Sequence, residues 1–181
     1  MIHNAAVGYR EPRRTTTEDG LSHVFAVNTL APYILTALIR RPKRLVYLSS
    51  GLHRSGDASL EDLAWEHRPW RGQQAYSDTK LHDVLLAFVM ARRWRDVFSN
   101  ALEPGWVATK MGGAGAPDDL DAGHRTQVWL AVSDDPSAKV TGEYFYHLRQ
   151  RAPNAAARDV ERQEKLIEAC KGFSGVALAN G

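Results

Sequence analysis

The spacing of hydrophobic positions predicts a regular alternation of strands and helices in the first half of the chain. Apolar residues recur at helical spacing from Leu21 to about Arg40, and Pro32 is expected to kink this helix. The short apolar run from Arg44 to Ser49 predicts a buried strand. The polar stretch from Gly51 to Gln74 then predicts a long, ordered loop.

The second half continues this alternation. The strongest helical pattern runs from Ala75 to Arg95, where five large apolar residues share one face. The other predicted elements are a strand at Val97–Leu102, a helix near Asp121–Ser133, a strand at Glu143–His147 and a surface helix at Asn154–Lys171. Glycines between Gly112 and Gly123 predict a mobile flap.

Alternating strands and helices predict an α/β protein whose sheet is mostly parallel and covered by helices on both faces. We expect residues 1–150 to form one unit and residues 151–181 to form a C-terminal helix with a flexible tail. Ligands of such folds bind beyond the carboxyl ends of the strands. Asn4-Ala5-Ala6, Ser49-Ser50 and Pro104-Gly105 are all expected at those ends, which predicts a ligand site there.

Composition narrows the class of protein. The chain has 181 residues, of which 44% are hydrophobic and 24% charged, and this is ordinary globular usage. A net charge of +2 gives no reason to expect nucleic acid as a partner. Cys170 is the single cysteine, so a disulfide framework is excluded and a reducing, cytoplasmic compartment is expected. No apolar stretch is long enough to predict a membrane span.

Tyr76 and Lys80 carry the first chemical indication. They are four residues apart in the strongest helix and therefore lie one turn apart on the same face. A phenol with its ordinary pKa of about 10 is a poor acid or base at neutral pH, but a neighbouring ammonium stabilises the phenolate and lowers that pKa. The spacing alone is equally compatible with two solvated residues on a helix surface.

Other chemistries find less support in the sequence. Seven histidines are present, but they lack metal-binding spacings such as His-Glu-x-x-His, so no metal site is predicted. Ser50 is not part of a Gly-x-Ser-x-Gly elbow, which argues against a serine hydrolase. Four tryptophans are candidates either for an apolar pocket or for core packing, and the sequence does not choose: Trp65, Trp70, Trp106 and Trp129.

Five motifs follow one another in an order that is known from one family. They are His3-Asn4-Ala5-Ala6, Val27-Asn28, Leu45-Val46-Tyr47-Leu48-Ser49-Ser50, Tyr76-Ser77-Asp78-Thr79-Lys80 and Pro104-Gly105-Trp106-Val107-Ala108-Thr109. Together they resemble the short-chain dehydrogenase/reductase family from Asn4 to about His147. The separation of 26 positions between Ser50 and Tyr76, and the sequence Ser49-Ser50-Gly51-Leu52-His53, are similar to its retinol-dehydrogenase-like branch.

This resemblance implies a Rossmann-type doubly wound sheet and an oxidoreductase that uses NAD or NADP. Its substrate would be a small apolar carbonyl or alcohol, with Tyr76 as acid or base. The implied catalytic residues are Asn28, Ser50, Tyr76 and Lys80. The implied cofactor-binding residues are Asn4, Ala5, Tyr76, Lys80, Pro104, Gly105, Trp106, Val107 and Thr109.

The sequence also departs from the family pattern. The Asn-Asn-Ala-Gly turn is His3-Asn4-Ala5-Ala6 here, and these residues would follow the family's fourth strand. The 181 residues hold no Thr-Gly-x-x-x-Gly-x-Gly turn, whose backbone amides would bind the cofactor pyrophosphate. We therefore expect this chain to bind NAD(P)H weakly, and its first strand to form an exposed sheet edge that favours a homo-oligomer. The alternative is a non-catalytic remnant that serves as an interaction module.

Overall fold

The computed structural model describes residues 1–179 and is built around a sheet of five strands. The strands lie side by side in chain order, from β1 to β5. Strands β1 to β4 are parallel, and β5 is antiparallel to β4. Their bounds are β1 Ile2–His3, β2 Arg44–Leu48, β3 Phe98–Glu103, β4 Tyr144–Tyr146 and β5 Arg149–Gln150.

Helices connect the parallel strands and cover both faces of the sheet. Their bounds are α1 His23–Phe25, α2 Ala31–Leu38, α3 Gly72–Arg93, α4 Ala122–Val132 and α5 Val160–Ser174. Short 3-10 turns lie at Gly51–Ser55, Pro136–Ala138 and Ala155–Arg158. The α/β class and the mostly parallel sheet that the sequence predicted are therefore confirmed.

The alternation of side chains along the strands divides the core into two layers. Leu45 and Tyr47 of β2 point into the larger layer, which also contains α3 and α5. Val46 points to the opposite face and packs in a smaller layer with Leu130 of α4 and Phe145 of β4. Successive residues of a strand face opposite sides of a sheet, and this is why one short strand supports helices on both of its faces.

Helix α3 differs from its prediction. The pattern predicted a helix with one apolar face, whereas every residue from Ala75 to Met90 is buried. Helix α5 explains part of this difference, because Leu166, Ile167 and Cys170 pack in the same core layer as α3. The polar residues of α3 are therefore enclosed in protein and need partners there.

The helix predicted from Leu21 to about Arg40 is divided by a turn of a different helical type. A π-helical turn, Ala26–Leu30, lies between α1 and α2 and carries Asn28. Pro32 lies in the first turn of α2, directly after this π-helical turn. Single π-turns within helices often occur at functional sites, which makes Asn28 a position of interest.

The hairpin formed by β4 and β5 was not predicted. His147 and Leu148 connect the two strands with φ of +45° and +65°. Tight hairpin turns need such left-handed residues, but Asn, Asp or Gly usually supply them, so His-Leu gave no turn signal.

Among the described residues, no helix is long and apolar enough to cross a membrane.

Candidate active site

A cavity of about 810 Å³ opens where the sheet strands end. Its walls come from the carboxyl ends of β2 and β3, the first turns of α3 and the hairpin of β4 and β5. The lining residues are Tyr9, Ser49, Ser50, Gly51, Leu52, Arg54, Gln73, Tyr76, Glu103, Pro104, Gly105, Trp106, Val107, Thr109, Met111, Gly112, Asp118, Tyr146 and Arg151. This is the edge of the sheet at which the sequence predicted a ligand site.

Tyr76 reaches this cavity from the second turn of α3. Its hydroxyl donates to the sulfur of Met111 at 3.8 Å, and its ring meets the edge of Tyr9 at 5.6 Å between centroids. Burial raises the pKa of Tyr76, whereas the Lys80 charge and the Ser50 hydroxyl act to lower it. The phenol is thus a mostly buried acid whose proton affinity depends on its polar neighbours.

Lys80 lies behind Tyr76, with its ammonium nitrogen 5.6 Å from the centre of the phenol ring. Nζ donates to the carbonyl oxygen of Leu48 at 2.8 Å and to Oδ2 of Asp83 at 2.7 Å. These bonds use two of the three donors of an ammonium. Strand β2 and helix α3 therefore fix the cation from both sides, as the predicted pairing of Tyr76 with Lys80 requires.

The two serines at the end of β2 have different environments. Ser49 is buried, and its hydroxyl donates to the carbonyl oxygen of Lys80 at 2.7 Å. Ser50 is partly exposed, and its hydroxyl accepts from the backbone N–H of Leu52 at 3.3 Å. Both residues line the cavity. The Ser49 hydroxyl bonds to helix α3, whereas the Ser50 hydroxyl bonds to the turn that follows β2.

His53 holds the backbone of Ser50 in place. Its Nδ1 donates to the carbonyl oxygen of Ser50 at 2.7 Å, and its Nε2 accepts from the backbone N–H of Asn154 at 3.1 Å. Burial lowers the pKa of His53 to about 4, so the ring is neutral at neutral pH and has one donor and one acceptor. A neutral histidine therefore connects the end of β2 to the segment before α5.

The loop after β3 forms part of the cavity wall. The backbone N–H of Trp106 donates to Oδ2 of Asp118 at 2.5 Å, and the Trp106 indole donates to the carbonyl oxygen of Gly112 at 3.0 Å. Gly105 has φ of +90°, and a Cβ at this position would lie 2.6 Å from Asp118 Oδ2. The turn therefore depends on glycine both for its conformation and for the close approach of Asp118.

The remaining predicted residues differ in their relation to the cavity. Pro104, Gly105, Trp106, Val107 and Thr109 line it. Asn28 is buried elsewhere, since its amide bonds with both backbone groups of Val7 and donates to Thr79 Oγ1 at 3.1 Å. Asn4 and Ala5 are exposed residues that follow β1.

Charged and aromatic wall residues were missed by the sequence analysis. Glu103 ends β3 with a half-buried carboxylate, and burial raises its pKa against the opposing charges of Arg54 and Arg151. The Arg151 guanidinium stacks over the ring of Tyr146 at 4.4 Å. These wall residues come from an unpredicted hairpin and from strand ends, so no local motif marked them.

Asp83 was missed too, but in this case the sequence did contain a signal. It follows Lys80 by three positions in α3, and residues at this spacing are neighbours on a helix surface.

Of the four candidate tryptophans, only Trp106 lines the cavity. Trp65 packs edge-on against Trp70, and Trp129 packs against Phe145.

No family model matches the chain, but several curated proteins are similar to it. An uncharacterized oxidoreductase of Emericella nidulans is 42% identical over the whole chain, which spans 70% of that protein. The short-chain dehydrogenase chry4 of Gibberella zeae is 38% identical, with 98% of this chain and 69% of the relative covered. Retinol dehydrogenase 13 of Mus musculus is 31% identical over the whole chain, which spans 61% of that protein.

Solved structures show the same fold. An uncharacterized protein from Mycobacterium paratuberculosis matches with a TM-score of 0.82 and 25% identity, with 98% of this chain and 67% of that protein covered. The carbonyl reductase Sniffer of Drosophila melanogaster matches with a TM-score of 0.54 and 18% identity, with 84% and 64% covered. The order of the five motifs, the parallel sheet and the similarity to these relatives all point to one family. The chain belongs to the short-chain dehydrogenase/reductase family.

Proposed function

We propose that this protein interconverts a carbonyl and an alcohol on a small, mostly apolar substrate by hydride transfer with a nicotinamide cofactor. One observation supports this most strongly. Tyr76 and Ser50 both line a cavity of about 810 Å³, and the Lys80 ammonium nitrogen lies 5.6 Å from the centre of the Tyr76 ring. A phenol, a hydroxyl and a cation in this arrangement are suited to proton exchange with a substrate oxygen.

The residues present fit one end of a nicotinamide nucleotide. The loop residues Pro104, Gly105, Val107 and Thr109 line the cavity beside Tyr76. Gly105, which has no side chain, exposes backbone there, and the unpartnered Nε2 of His147 is buried next to it. We assign these residues to the nicotinamide and Lys80 to its ribose, with Asn4 and Ala5 as further contacts. When bound, the cofactor supplies or accepts the hydride.

The proton follows a separate route through this chain's own residues. In the direction of reduction, Tyr76 donates its proton to the substrate oxygen as the alcohol forms. The Ser50 hydroxyl donates a hydrogen bond to the same oxygen and stabilises its developing negative charge. Lys80 stabilises the resulting phenolate of Tyr76. Asn28 fixes the segment after β1 against α3 through Val7 and Thr79, and thereby supports the site from behind.

The cavity wall favours a substrate with a large apolar surface. Aromatic and aliphatic side chains make up much of it, namely Tyr9, Leu52, Trp106, Val107, Met111 and Tyr146. The names of the relatives include retinol dehydrogenase 13, retinol dehydrogenase 14 and a daunorubicin C-13 ketoreductase of Streptomyces that is 31% identical. Glu103 and Arg151 add polar groups to the wall, and these would orient a substrate with a polar end.

The variant Tyr76→Phe tests this function. It keeps the ring and removes only the transferable proton, so we expect turnover to fall by about 100-fold or more while cofactor affinity stays within about twofold. Tyr146→Phe is the matched control, because it removes a phenol from the same cavity, and its turnover should change far less. Turnover in Tyr76→Phe above about a tenth of the wild-type rate would refute the assigned role. These measurements use the protein that contains these 181 residues, and failure of that protein to bind NADH or NADPH would favour an interaction module instead.

A further inference from the structure

A buried carboxylate lies next to the cation of the site. Asp83 follows Lys80 by one turn of α3, and its Oδ2 accepts from Lys80 Nζ at 2.7 Å. The two side chains are 3% and 4% exposed. The carbonyl oxygen of Leu48 accepts a second bond from the same nitrogen at 2.8 Å. One charged and one neutral acceptor thus fix the ammonium between a helix and a strand.

Burial alone would make Lys80 a poor cation. Removing an ammonium from water favours the neutral amine, and buried lysines therefore lose their proton more easily. The opposite holds here: burial acts to lower the pKa of Lys80, but the charges of Asp83 and Tyr76 outweigh it, so the pKa is raised. A neutral amine could not stabilise the phenolate of Tyr76, so the chemistry of the site requires that this proton stays.

Other ionisable groups around the pair do not take over this task. From β2, Tyr47 faces Asp83, and burial raises the pKa of its phenol. The Tyr47 hydroxyl is hydrogen-bonded to Thr36, which in turn is bonded to His3 of β1. Burial lowers the pKa of His3 to about 4, so both side chains are neutral at neutral pH. Within residues 1–179, Asp83 is the anion that neutralises Lys80.

We propose that Asp83 is a positioning residue that keeps Lys80 protonated and directed towards Tyr76. It acts through Lys80 and does not touch the reacting atoms. The role rests on the proposed function, because a charged Lys80 matters only if Tyr76 exchanges protons with a substrate. The effect of Asp83 on the proton affinity of Lys80 can nevertheless be measured without any turnover.

The variant Asp83→Asn tests this effect, because it preserves the shape of the side chain and removes its charge. Lys80 would be titrated by NMR on protein with ¹³Cε-labelled lysine, with its signal assigned from Lys80→Met. We expect the pKa of Lys80 to fall by about one unit or more, a tenfold loss of proton affinity. Asp134→Asn, on the exposed surface, is the matched control and should leave the Lys80 titration unchanged.

A Lys80 titration that is the same in Asp83→Asn and the wild type would overturn the proposal. If Asp83→Asn fails to fold, the wild type alone decides: Lys80 must remain protonated through pH 9, and its loss of the proton below that pH would contradict the role. Turnover gives an independent readout. In an active enzyme, the alkaline limb of kcat should move to lower pH in Asp83→Asn by the same shift. Absence of turnover in the wild type would refute the function but not the coupling.

Discussion

Two ion pairs involve acidic residues of helix α3, and they differ in their exposure to solvent. Asp78 pairs with Arg68 at 2.6 Å, and Lys80 pairs with Asp83 at 2.7 Å. Asp78 and Lys80 are two positions apart, which is about 200° around a helix, so they point to nearly opposite sides. One pair therefore faces the loop before α3, and the other faces the sheet and the cavity.

The two pairs differ in the groups that surround them. The Asp78 carboxylate also accepts from the backbone N–H of Asp57 and from Gln74, each at 2.8 Å. Arg68 in turn bonds to Asp57 and Asp62 and stacks over Trp65 at 3.6 Å. This network holds a loop against a helix. Around Lys80, by contrast, a titratable phenol lies at the wall of a cavity, and this is where chemistry is expected.

Removing the site cation should have the largest effect. We expect Lys80→Met to lower turnover by about 100-fold or more, because the Tyr76 phenolate loses its stabilising charge. It should also make stability depend more strongly on pH. Burial raises the pKa of Asp83 to about 6 and the Lys80 charge opposes this, so the pKa rises further in the variant.

The sign of that pH effect follows from linkage. A carboxyl group with a raised pKa in the folded state binds a proton that the unfolded chain has already lost, so it favours folding at low pH and destabilises the fold as pH rises. The free energy of unfolding of Lys80→Met, measured in urea, should therefore be reduced more at pH 8 than at pH 5, relative to the wild type. An equal reduction at both pH values would contradict the burial of the Asp83 carboxylate next to Lys80.

Removing the charge of Arg68, the cation of the other pair, should affect the stability of the fold but not the rate of catalysis. Arg68→Met leaves the buried Asp78 carboxylate without its charged partner, and Arg68 itself is 28% exposed. We expect the free energy of unfolding to fall by about 2 kcal/mol, less than for a fully buried pair, and kcat to stay within about twofold. Lys139→Met, which breaks an exposed pair with Asp134, should change neither. A large loss of kcat in folded Arg68→Met would remove the distinction between the two pairs.

A smaller effect is expected at His82, which also lies in α3. Burial lowers its pKa to about 3, and its Nδ1 bonds to the hydroxyl of Thr29 at 3.0 Å. The unfolded chain binds this proton near pH 6.5 and the folded chain does not, so the free energy of unfolding falls as pH drops below 6.5. His82→Gln should reduce the loss between pH 7 and pH 5.5 by about 1 kcal/mol.

His124→Gln, on an exposed part of α4, is the control for His82 and should leave the pH dependence of stability as it is in the wild type. His3 and His53 have pKa values that burial lowers to about 4, so they act in the same direction as His82. A His82→Gln protein with the wild-type slope between pH 7 and pH 5.5 would show that His82 is not buried in its neutral form.

Local patterns predicted much of this molecule. Spacing placed Tyr76 and Lys80 one turn apart on a helix, and the apolar run before Ser50 was a strand, because both features depend on near neighbours in sequence. The full burial of α3 was missed, since the partners of its polar residues come from distant segments, as His82 and Thr29 illustrate. The division at residue 150 remains a prediction, although Leu178 packs in the main core layer.

Isotope transfer tests the central claim most directly. The protein that contains these 181 residues would be incubated with a panel of apolar aldehydes and ketones. The cofactor would be NADH or NADPH that carries deuterium at C4 of the nicotinamide. The account predicts deuterium at the former carbonyl carbon of the product with the wild type, and at least about 100-fold slower transfer with Tyr76→Phe. Equal transfer by both proteins, or none by a wild type that binds cofactor and carbonyl, would contradict it.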